Sequence, residues 1–196
     1  MRVFLVTCCL LCIGYELPAQ EWELKKSNNE VKVFAKPVTA GVSMIRVEAK
    51  LHGTIEKLMS ILKDVSNNKN WVYQTKQSYV INRVNANDFQ YYAETSVPIL
   101  KNRDMVIRMQ FTHDPVNQAL NIIATGVPQA IPEKKGLVRI KTFNGKWQVK
   151  QETANTIFIL YHLSLDAGND IPDGIKEMVA AKGPFETFKN LSKQLK

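Results

Sequence analysis

The chain has 196 residues and three cysteines, and its 26 basic residues outnumber its 18 acidic ones. This length suits one domain with a sizeable core, and no shift in composition marks a second domain. The net charge of +8 permits contact with anionic membrane surfaces, but the basic residues are scattered singly, which argues against a nucleic-acid-binding protein.

The first 20 residues have the pattern of a secretory signal peptide. Arg2 precedes an apolar run, Val3–Gly14, that is too short to span a membrane, and Leu17–Gln20 suits a processing site. All three cysteines lie within that run. We therefore expect an exported protein, periplasmic or secreted, whose domain at residues 21–196 has no disulfide, thiolate metal site or cysteine nucleophile. The alternatives are an uncleaved apolar N-terminal anchor and a lipoprotein attached through Cys12.

Up to Trp71 the sequence predicts three strands, a helix and a short helical turn, in that order. Asn28-Asn29 separates the first two strands and predicts a hairpin. The third strand alternates apolar and polar residues, so one of its faces should be buried. Thr54 can cap the helix, whose apolar residues recur at helical spacing. The predicted ranges are Glu21–Ser27, Val31–Lys36, Ser43–Leu51, Ile55–Val65 and Ser66–Trp71.

From Gln74 to Asp166 the pattern is that of a nearly continuous antiparallel sheet. The regular spacing of turn residues indicates successive hairpins, which brings the sheet to about nine strongly twisted strands. The predicted strands are Gln77–Val84, Phe89–Val97, Asp104–Thr112, Leu120–Thr125, Leu137–Phe143 with a continuation through Trp147, and Thr156–Leu165. The predicted turns are Asn85-Ala86-Asn87, Asp114-Pro115, Asn144-Gly145 and Glu152–Asn155.

The final stretch, Ile171–Lys196, predicts one long amphipathic helix. Asp170 can cap it, Pro172 lies in the first turn, and Gly183-Pro184 should kink it because proline has no N–H to donate. Since nearly everything before it is strand or short helix, we predict an α+β fold in which a curved antiparallel sheet wraps around this helix, with two short helices after the third strand. Its apolar stripe comprises Ile175, Met178, Val179, Phe185, Phe188, Leu191 and Leu195.

The stretch from Pro98 to Arg108 is the most informative one for a binding site. The two-residue period of a strand places Arg103 with Met105 on an apolar face and Asp104 on the opposite face. An arginine on an apolar face needs water at the end of the sheet or a partner, because an unpaired buried guanidinium is costly. Two interpretations stay open: Arg103 and Asp104 fix the preceding loop by hydrogen bonds, or they contact a polar group of a ligand.

Signatures of catalysis and of metal binding are thin. The three histidines are isolated, and the chain has no HExxH, GxSxG, phosphate-loop or paired-carboxylate motif. We therefore expect no enzyme activity, no cofactor and no metal site. An enzyme would need a titratable group with a perturbed pKa inside a cavity, for which the candidates are Tyr91, Tyr161, His162 and Asp104.

Five short motifs follow one another along the chain: Trp22–Phe34 with W-x-L and V-x-V-F, Asp64 followed by Trp71, Pro98 followed by Asn102-Arg103-Asp104, Gly145-Lys146-Trp147, and Asp166-Ala167-Gly168 followed by Ile171-Pro172. In their order and spacing they resemble the START lipid-binding family, and the chain looks like an exported bacterial member. That family is a branch of the helix-grip superfamily, which also contains Bet v 1-like proteins and polyketide cyclases. The resemblance implies a sheet that grips the C-terminal helix, with a hydrophobic tunnel between them for one lipid or sterol.

We therefore expect a monomer that binds, and in a further step transfers, a lipid or another hydrophobic small molecule, with transient contact to anionic membranes. Two alternatives remain, namely a cyclase- or hydrolase-like enzyme on the same fold and a filled domain that acts through protein partners. Arg103 and Asp104 are the candidate polar contacts. The candidate apolar lining, for which ordinary core packing is the alternative, is Phe89, Tyr91, Ala93, Val97, Met105, Ile107, Met109, Met178, Phe185 and Phe188.

Overall fold

The computed structural model describes residues 21–36, 42–166 and 171–196. Ten strands in these ranges form one sheet: β1 (Glu23–Ser27), β2 (Val31–Lys36), β3 (Val42–His52), β4 (Thr75–Asn85), β5 (Asp88–Thr95), β6 (Arg103–Asp114), β7 (Ala119–Gly126), β8 (Val138–Arg139), β9 (Phe143–Thr153) and β10 (Thr156–Asp166). The strand order is β1-β2-β3-β10-β9-β7-β6-β5-β4, with antiparallel neighbours throughout. The two-residue strand β8 pairs in parallel with β6.

One face of the sheet carries the main hydrophobic core. The register aligns a row of side chains across five neighbouring strands, because Val33 pairs with Val47, Val47 with Tyr161, Tyr161 with Trp147, and Trp147 with Ile122. All five are buried. Since side chains alternate between the two faces of a strand, this row fixes which face of each of these five strands points inward.

Helix α1 (Ile55–Lys63) begins as predicted, because the side-chain oxygen of Thr54 accepts a hydrogen bond from the backbone N–H of Lys57 at 3.2 Å. The buried side chains of α1 recur at helical spacing and join the same core. They are Ile55, Leu58, Ile61 and Leu62.

The predicted helical turn after α1 is a 3₁₀ segment, Val65–Asn70. Such a segment has three residues per turn, so side chains three apart lie on the same side. Accordingly Val65, Asn68 and Trp71 are all buried, and the backbone N–H of Trp71 donates to the carbonyl of Asn68 at 3.1 Å. The segment and the residue after it, Trp71, therefore present one polar and two apolar side chains to the interior.

The C-terminal helix spans residues 173–195 in three stretches: α2 (Asp173–Glu177), a π-helical turn (Met178–Lys182) and α3 (Gly183–Leu195). The π-helical turn directly precedes Gly183-Pro184, the position of the predicted kink, and in it the backbone N–H of Gly183 donates to the carbonyl of Met178. Pro184 cannot donate, so the wider turn accommodates the missing bond within a continuous helix. The predicted apolar stripe is confirmed in α3, which buries Phe185, Phe188, Leu191 and Leu195.

One predicted strand and one predicted turn are wrong. In place of a strand over Leu137–Phe143 the chain forms the two residues of β8, and β9 then runs straight through the predicted turn at Asn144-Gly145. Gly145 serves a close approach instead of a turn. A Cβ atom at this position would lie 3.2 Å from Cβ of Ala124 and 3.3 Å from the ring of Tyr161.

The other predicted strands and turns are confirmed, with ends that differ by a few residues. The predicted signal peptide at residues 1–20 and the predicted cap Asp170 lie outside the described residues. Within the part that is described, no helix is both long and apolar enough to cross a membrane.

Candidate functional site

Two adjoining cavities lie between the sheet and the C-terminal helix. The first, which we call the aromatic cavity, has a volume of about 240 Å³ and is lined by Tyr91, Phe143, Trp147, Tyr161 and Phe188 among others. The second, the arginine cavity, measures about 130 Å³ and has Arg103 in its wall. The two share the wall residues Tyr73, Thr95, Met105, Leu165 and Val179, so they form adjoining compartments of one apolar space.

The aromatic cavity is walled by a packed group of rings from β9, β10 and α3. The ring of Trp147 lies 4.5 Å from that of Tyr161 and 5.2 Å from that of Phe188, measured between centroids. Gly145 allows the Tyr161 ring to lie against the backbone of β9. Because aromatic side chains have few rotatable bonds, these rings give the cavity a defined shape.

Tyr91 on β5 and Tyr161 on β10 both line the aromatic cavity. Burial raises the pKa of both phenols, and for Tyr161 the nearby Tyr91 raises it further. Both therefore stay protonated in the neutral pH range. In this form they can hydrogen-bond to a ligand, but they cannot act as bases.

The 3₁₀ segment and the residues that follow it form another wall of the aromatic cavity, and the following residues are hydrogen-bonded to the terminal helix. The backbone N–H of Tyr73 donates to Oγ1 of Thr187 at 3.1 Å, and Nδ2 of Asn190 donates to the carbonyl of Trp71 at 3.2 Å. Asn68, Trp71 and Thr187 themselves line the cavity. These contacts fix α3 against the wall.

The arginine cavity lies between the N-terminal part of the C-terminal helix, the start of β6 and the loop before β6. Nη1 of Arg103 donates to the carbonyl of Lys101 at 2.6 Å, and partial burial lowers the pKa of its guanidinium. In the described ranges no carboxylate forms an ion pair with Arg103. Its remaining donors are thus available to a group in the cavity.

Glu94 on β5 holds the residue before Arg103. Its carboxylate accepts hydrogen bonds from Nε2 of Gln77 at 2.8 Å and from Nδ2 of Asn102 at 3.1 Å. These bonds, with Lys76 nearby, lower the pKa of Glu94. The loop that positions Arg103 is therefore attached to a charged carboxylate at neutral pH.

Asp104, the second candidate polar contact, lines neither cavity. It lies on the opposite face of β6 and is fully buried against Arg139, whose Nε and Nη2 donate to its two carboxylate oxygens at 2.8 and 3.0 Å. Arg139 also donates to the carbonyls of Pro128, Ile131 and Pro132. The Asp104–Arg139 pair thus fixes the loop between β7 and β8 instead of contacting a cavity.

The structure brings most of the predicted lining residues together. Tyr91, Ala93, Met105, Ile107, Met109 and Phe188 line the aromatic cavity, whereas Val97, Arg103, Met105 and Met178 line the arginine cavity. Phe89 and Phe185 line neither cavity and belong to the hydrophobic core. The ring of Phe89 stacks on that of Phe111 at 5.9 Å, and the ammonium of Lys26 lies 4.7 Å from the centroid of the Phe185 ring. Whether the lining residues contact a ligand stays a prediction.

Sequence reasoning did not assign Asn68, Tyr73 and Thr187 to a site. A signal for Asn68 exists, since it lies three residues from both Val65 and Trp71 in a short helical turn and so shares their buried side. No comparable local signal marks Tyr73 or Thr187, because their contact joins residues 114 positions apart.

The remaining candidates for chemistry lie apart from the cavities. His162 points away from Tyr161 on the other face of β10, its ring is 5.9 Å from that of Trp22, and burial lowers its pKa. Among the described residues, no three His, Cys, Asp or Glu side chains come together as metal ligands would.

No family model matches the sequence. One curated relative, an uncharacterized protein of Pseudomonas aeruginosa, is 22% identical over 97% of this chain and 95% of its own length. The STAR-related lipid transfer protein of Xanthomonas axonopodis superposes with a TM-score of 0.78 at 24% identity, covering 89% of this chain and 98% of that one. Human STARD10 superposes with a TM-score of 0.75 at 20% identity, covering 89% of this chain and 72% of that one. The Zhui aromatase/cyclase of Streptomyces superposes with a TM-score of 0.55 at 13% identity, covering 79% of this chain and 93% of that one. The chain therefore has the START-like helix-grip fold, which it shares with STAR-related lipid transfer proteins.

Proposed function

We propose that the protein binds a lipid or another hydrophobic small molecule in the two adjoining cavities. The observation that carries the proposal is the apolar space between the sheet and the terminal helix, with about 240 Å³ in the aromatic cavity and about 130 Å³ in the arginine cavity. Burying apolar ligand surface there would contribute about 25 cal/mol per Å². The similarity in fold to STAR-related lipid transfer proteins supports the same assignment.

Met105, Met109 and Met178 suit such a ligand because methionine adapts its shape to irregular guests. Arg103 would orient a polar or anionic head group in the arginine cavity, where burial already lowers its pKa. The apolar part of the ligand would then extend into the aromatic cavity.

The proposal is tested by native mass spectrometry of freshly purified protein, followed by lipid extraction. A matched pair of variants makes the test specific to the cavity. Ala93→Leu places a larger side chain into the aromatic cavity, whereas Ala86→Leu changes an exposed turn residue. We expect bound lipid on the wild type and on Ala86→Leu, and little or none on Ala93→Leu. Absence of bound or bindable lipid on all three proteins would contradict the proposal.

We further propose that the protein is a binder and not an enzyme. The supporting observation is that, of the four candidates for catalysis, His162 and Asp104 line neither cavity. Burial raises the pKa of the other two, Tyr91 and Tyr161, so that neither phenol ionises in the neutral pH range to act as a base. An aromatase/cyclase also shares the fold, and a cyclase- or hydrolase-like activity is therefore the alternative. Incubation of extracted ligands with the protein, followed by mass analysis, should return them chemically unchanged, and conversion of a ligand would refute this proposal.

Export and transfer complete the proposal. The apolar run within residues 1–20 supports export, and the net charge of +8 supports transient contact with anionic membranes during transfer. Intact-mass measurement of the protein from the host should give a chain that lacks about the first 20 residues. Transfer of a fluorescent lipid between vesicles should be faster with anionic than with neutral vesicles, and it should slow at high salt.

A further inference from the structure

Among the described residues, one charged side chain lines the two cavities. It is Arg103 in the arginine cavity, and the other lining residues of both cavities include no Asp, Glu, Lys, Arg or His. Thr95 is the strand partner of Arg103 on β5 and lines the arginine cavity as well. Residues directly opposite each other on antiparallel strands project from the same face, with Cβ atoms about 5 Å apart. A hydroxyl and a guanidinium therefore project side by side at the start of β6.

An apolar track follows this polar pair along β5 and β6. The next three pairs of opposite residues on the same face are Ala93 with Met105, Tyr91 with Ile107, and Phe89 with Met109. All of them except Phe89 line the aromatic cavity, and Met105 lines both cavities. The six residue steps from Arg103 to Met109 cover about 20 Å, at about 3.4 Å per residue. The space between sheet and helix thus has a charged start and an apolar run of about 20 Å.

The length and the volume of this space together give its width. An extended hydrocarbon chain advances about 1.3 Å per carbon, because its C–C bonds of about 1.5 Å zigzag, so a run of about 20 Å takes about 15 carbons of one chain. The two cavities measure about 240 and 130 Å³. Together they hold about 12 methylene-sized groups, at about 30 Å³ each, the share of one water molecule in the liquid. Two chains side by side would need about twice this volume, so the space has the width of a single chain.

The head group of such a ligand has to be small and singly charged. The arginine cavity, at about 130 Å³, has room for about four groups of this size. A carboxylate fits there, whereas a glycerophosphate group has at least twice as many non-hydrogen atoms. One negative charge matches the one guanidinium, and a carboxylate can accept two parallel hydrogen bonds from it. A phosphate monoester carries about −1.5 to −2 at neutral pH, so part of its charge would be buried without a counter-charge in the walls.

We propose that the ligand is a single-chain carboxylate of about 12 to 15 carbons, whose head group binds Arg103 and whose chain extends past Met105 toward Met109. This inference rests on the proposed lipid-binding function and names the class of ligand for the same site. The carboxylate supplies the ion-pair partner that Arg103 lacks among the described residues. The hydroxyl of Thr95 can donate a further hydrogen bond to it.

The test measures the binding of saturated carboxylates from octanoate to octadecanoate by isothermal titration calorimetry, at neutral pH and below their critical micelle concentrations. The affinity should rise about fourfold per methylene, which corresponds to about 0.8 kcal/mol per buried CH₂, and level off at about 12 to 15 carbons. Dodecanoate should bind at least about tenfold more tightly than 1-dodecanol, because hydrogen bonds to a charged group are stronger. Arg103→Met should remove this preference. Arg108→Met, which changes an arginine of β6 that lines neither cavity, should retain it.

A second pair of variants tests the far end of the track. Ala124 lines the aromatic cavity and lies opposite Met109 in the register of β6 and β7. Ala124→Leu adds three carbons to the wall, so the affinity should level off about three carbons earlier, because protein interiors have little spare volume. Octanoate should still bind as it does to the wild type, and Ala86→Leu in an exposed turn should leave the whole series unchanged. Thermal unfolding checks each variant, and Met109→Trp repeats the test if Ala124→Leu does not fold.

An affinity that keeps rising to octadecanoate would overturn the inference. So would equal affinities for dodecanoate and 1-dodecanol, or an unshifted series in a folded Ala124→Leu. Incubation with dodecanoate and vesicles of dimyristoyl phosphatidylglycerol, followed by native mass spectrometry, compares one chain with two. The dodecanoate adduct should dominate, whereas a dominant phospholipid adduct would overturn the inference and leave the proposed lipid-binding function standing. If none of these compounds binds, the inference fails, and if the purified protein also carries no lipid, the function fails with it.

Discussion

The buried pair of Asp104 and Arg139 allows a quantitative prediction about stability. Arg139→Met retains much of the apolar stem but removes both bonds to Asp104, and it leaves a carboxylate that is 0% exposed without a partner. Removing one member of a buried ion pair costs about 3–5 kcal/mol. Because the free energy of unfolding of a typical domain is about 5–15 kcal/mol, this is a large share of it. For a chain of this size the melting temperature should fall by about 6–20 °C, at roughly 2–4 °C per kcal/mol.

Urea unfolding of Arg139→Met and of a matched control measures this loss of unfolding free energy. In the control, Arg108→Met, the lost arginine makes the same two-bond contact with Asp88, at 2.8 and 2.6 Å, but its side chain is 40% exposed. We expect a much smaller change there, because water can solvate the remaining carboxylate. The double variant Asp104→Leu/Arg139→Met should be more stable than Arg139→Met alone, since it buries no charge. A loss below about 1 kcal/mol in Arg139→Met, or a double variant that is less stable still, would refute the reasoning.

Four further predictions concern the cavities and their surroundings. Arg103→Met should remain folded and lose roughly 1.5–3 kcal/mol of affinity for an anionic lipid but less for a neutral sterol, which binding isotherms measure; equal losses together with a lower melting temperature would assign Arg103 to the loop instead. Gly145→Val should cost about 1–3 kcal/mol of unfolding free energy and reduce lipid binding, because its side chain would displace Tyr161; unchanged unfolding would contradict this. The lowered pKa of Glu94 means that its contribution to stability is present above the pKa of an ordinary glutamate and is lost as the pH falls through the lower folded-state value, so Glu94→Gln should flatten the acid side of the stability profile. Amide exchange across residues 178–187 should be faster than in the central strands, and equal protection with and without lipid would argue against opening at the π-helical turn.

The sequence predicted the architecture because the period of two in the strands and the apolar stripe of the last helix are local patterns. Motif order then suggested the START-like fold. The errors arose where a local signal had a distant cause. Asn144-Gly145 is a common turn dipeptide, but Gly145 is needed because Tyr161 and Ala124 approach the backbone of β9. Both partners lie outside the short sequence window around residue 145 from which a turn is predicted.

The site was predictable in part for the same reason. Alternation along β6 correctly placed Met105 and Ile107 toward the interior, and it separated Arg103 from Asp104. The partner of Asp104 could not be read from the sequence, because Arg139 lies 35 residues away and pairs through the short parallel strand β8. Phe89 followed the right period but is packed in the core, since alternation gives the face of a strand and not the position of an empty space.

The three side-chain hydrogen bonds along α3 have a kinetic consequence. Thr187, Asn190 and Ser192 tie this half of the helix to Tyr73, Trp71 and Glu30, whereas the arginine cavity is covered by Ile175, Met178 and Val179 from the half before it. Ligand entry and release should then require displacement of the first half alone, with the second half and the sheet intact. Ligand exchange and global unfolding would thus be separate processes with separate barriers. A variant such as Arg139→Met could shorten the lifetime of the fold and leave the residence time of the ligand unchanged.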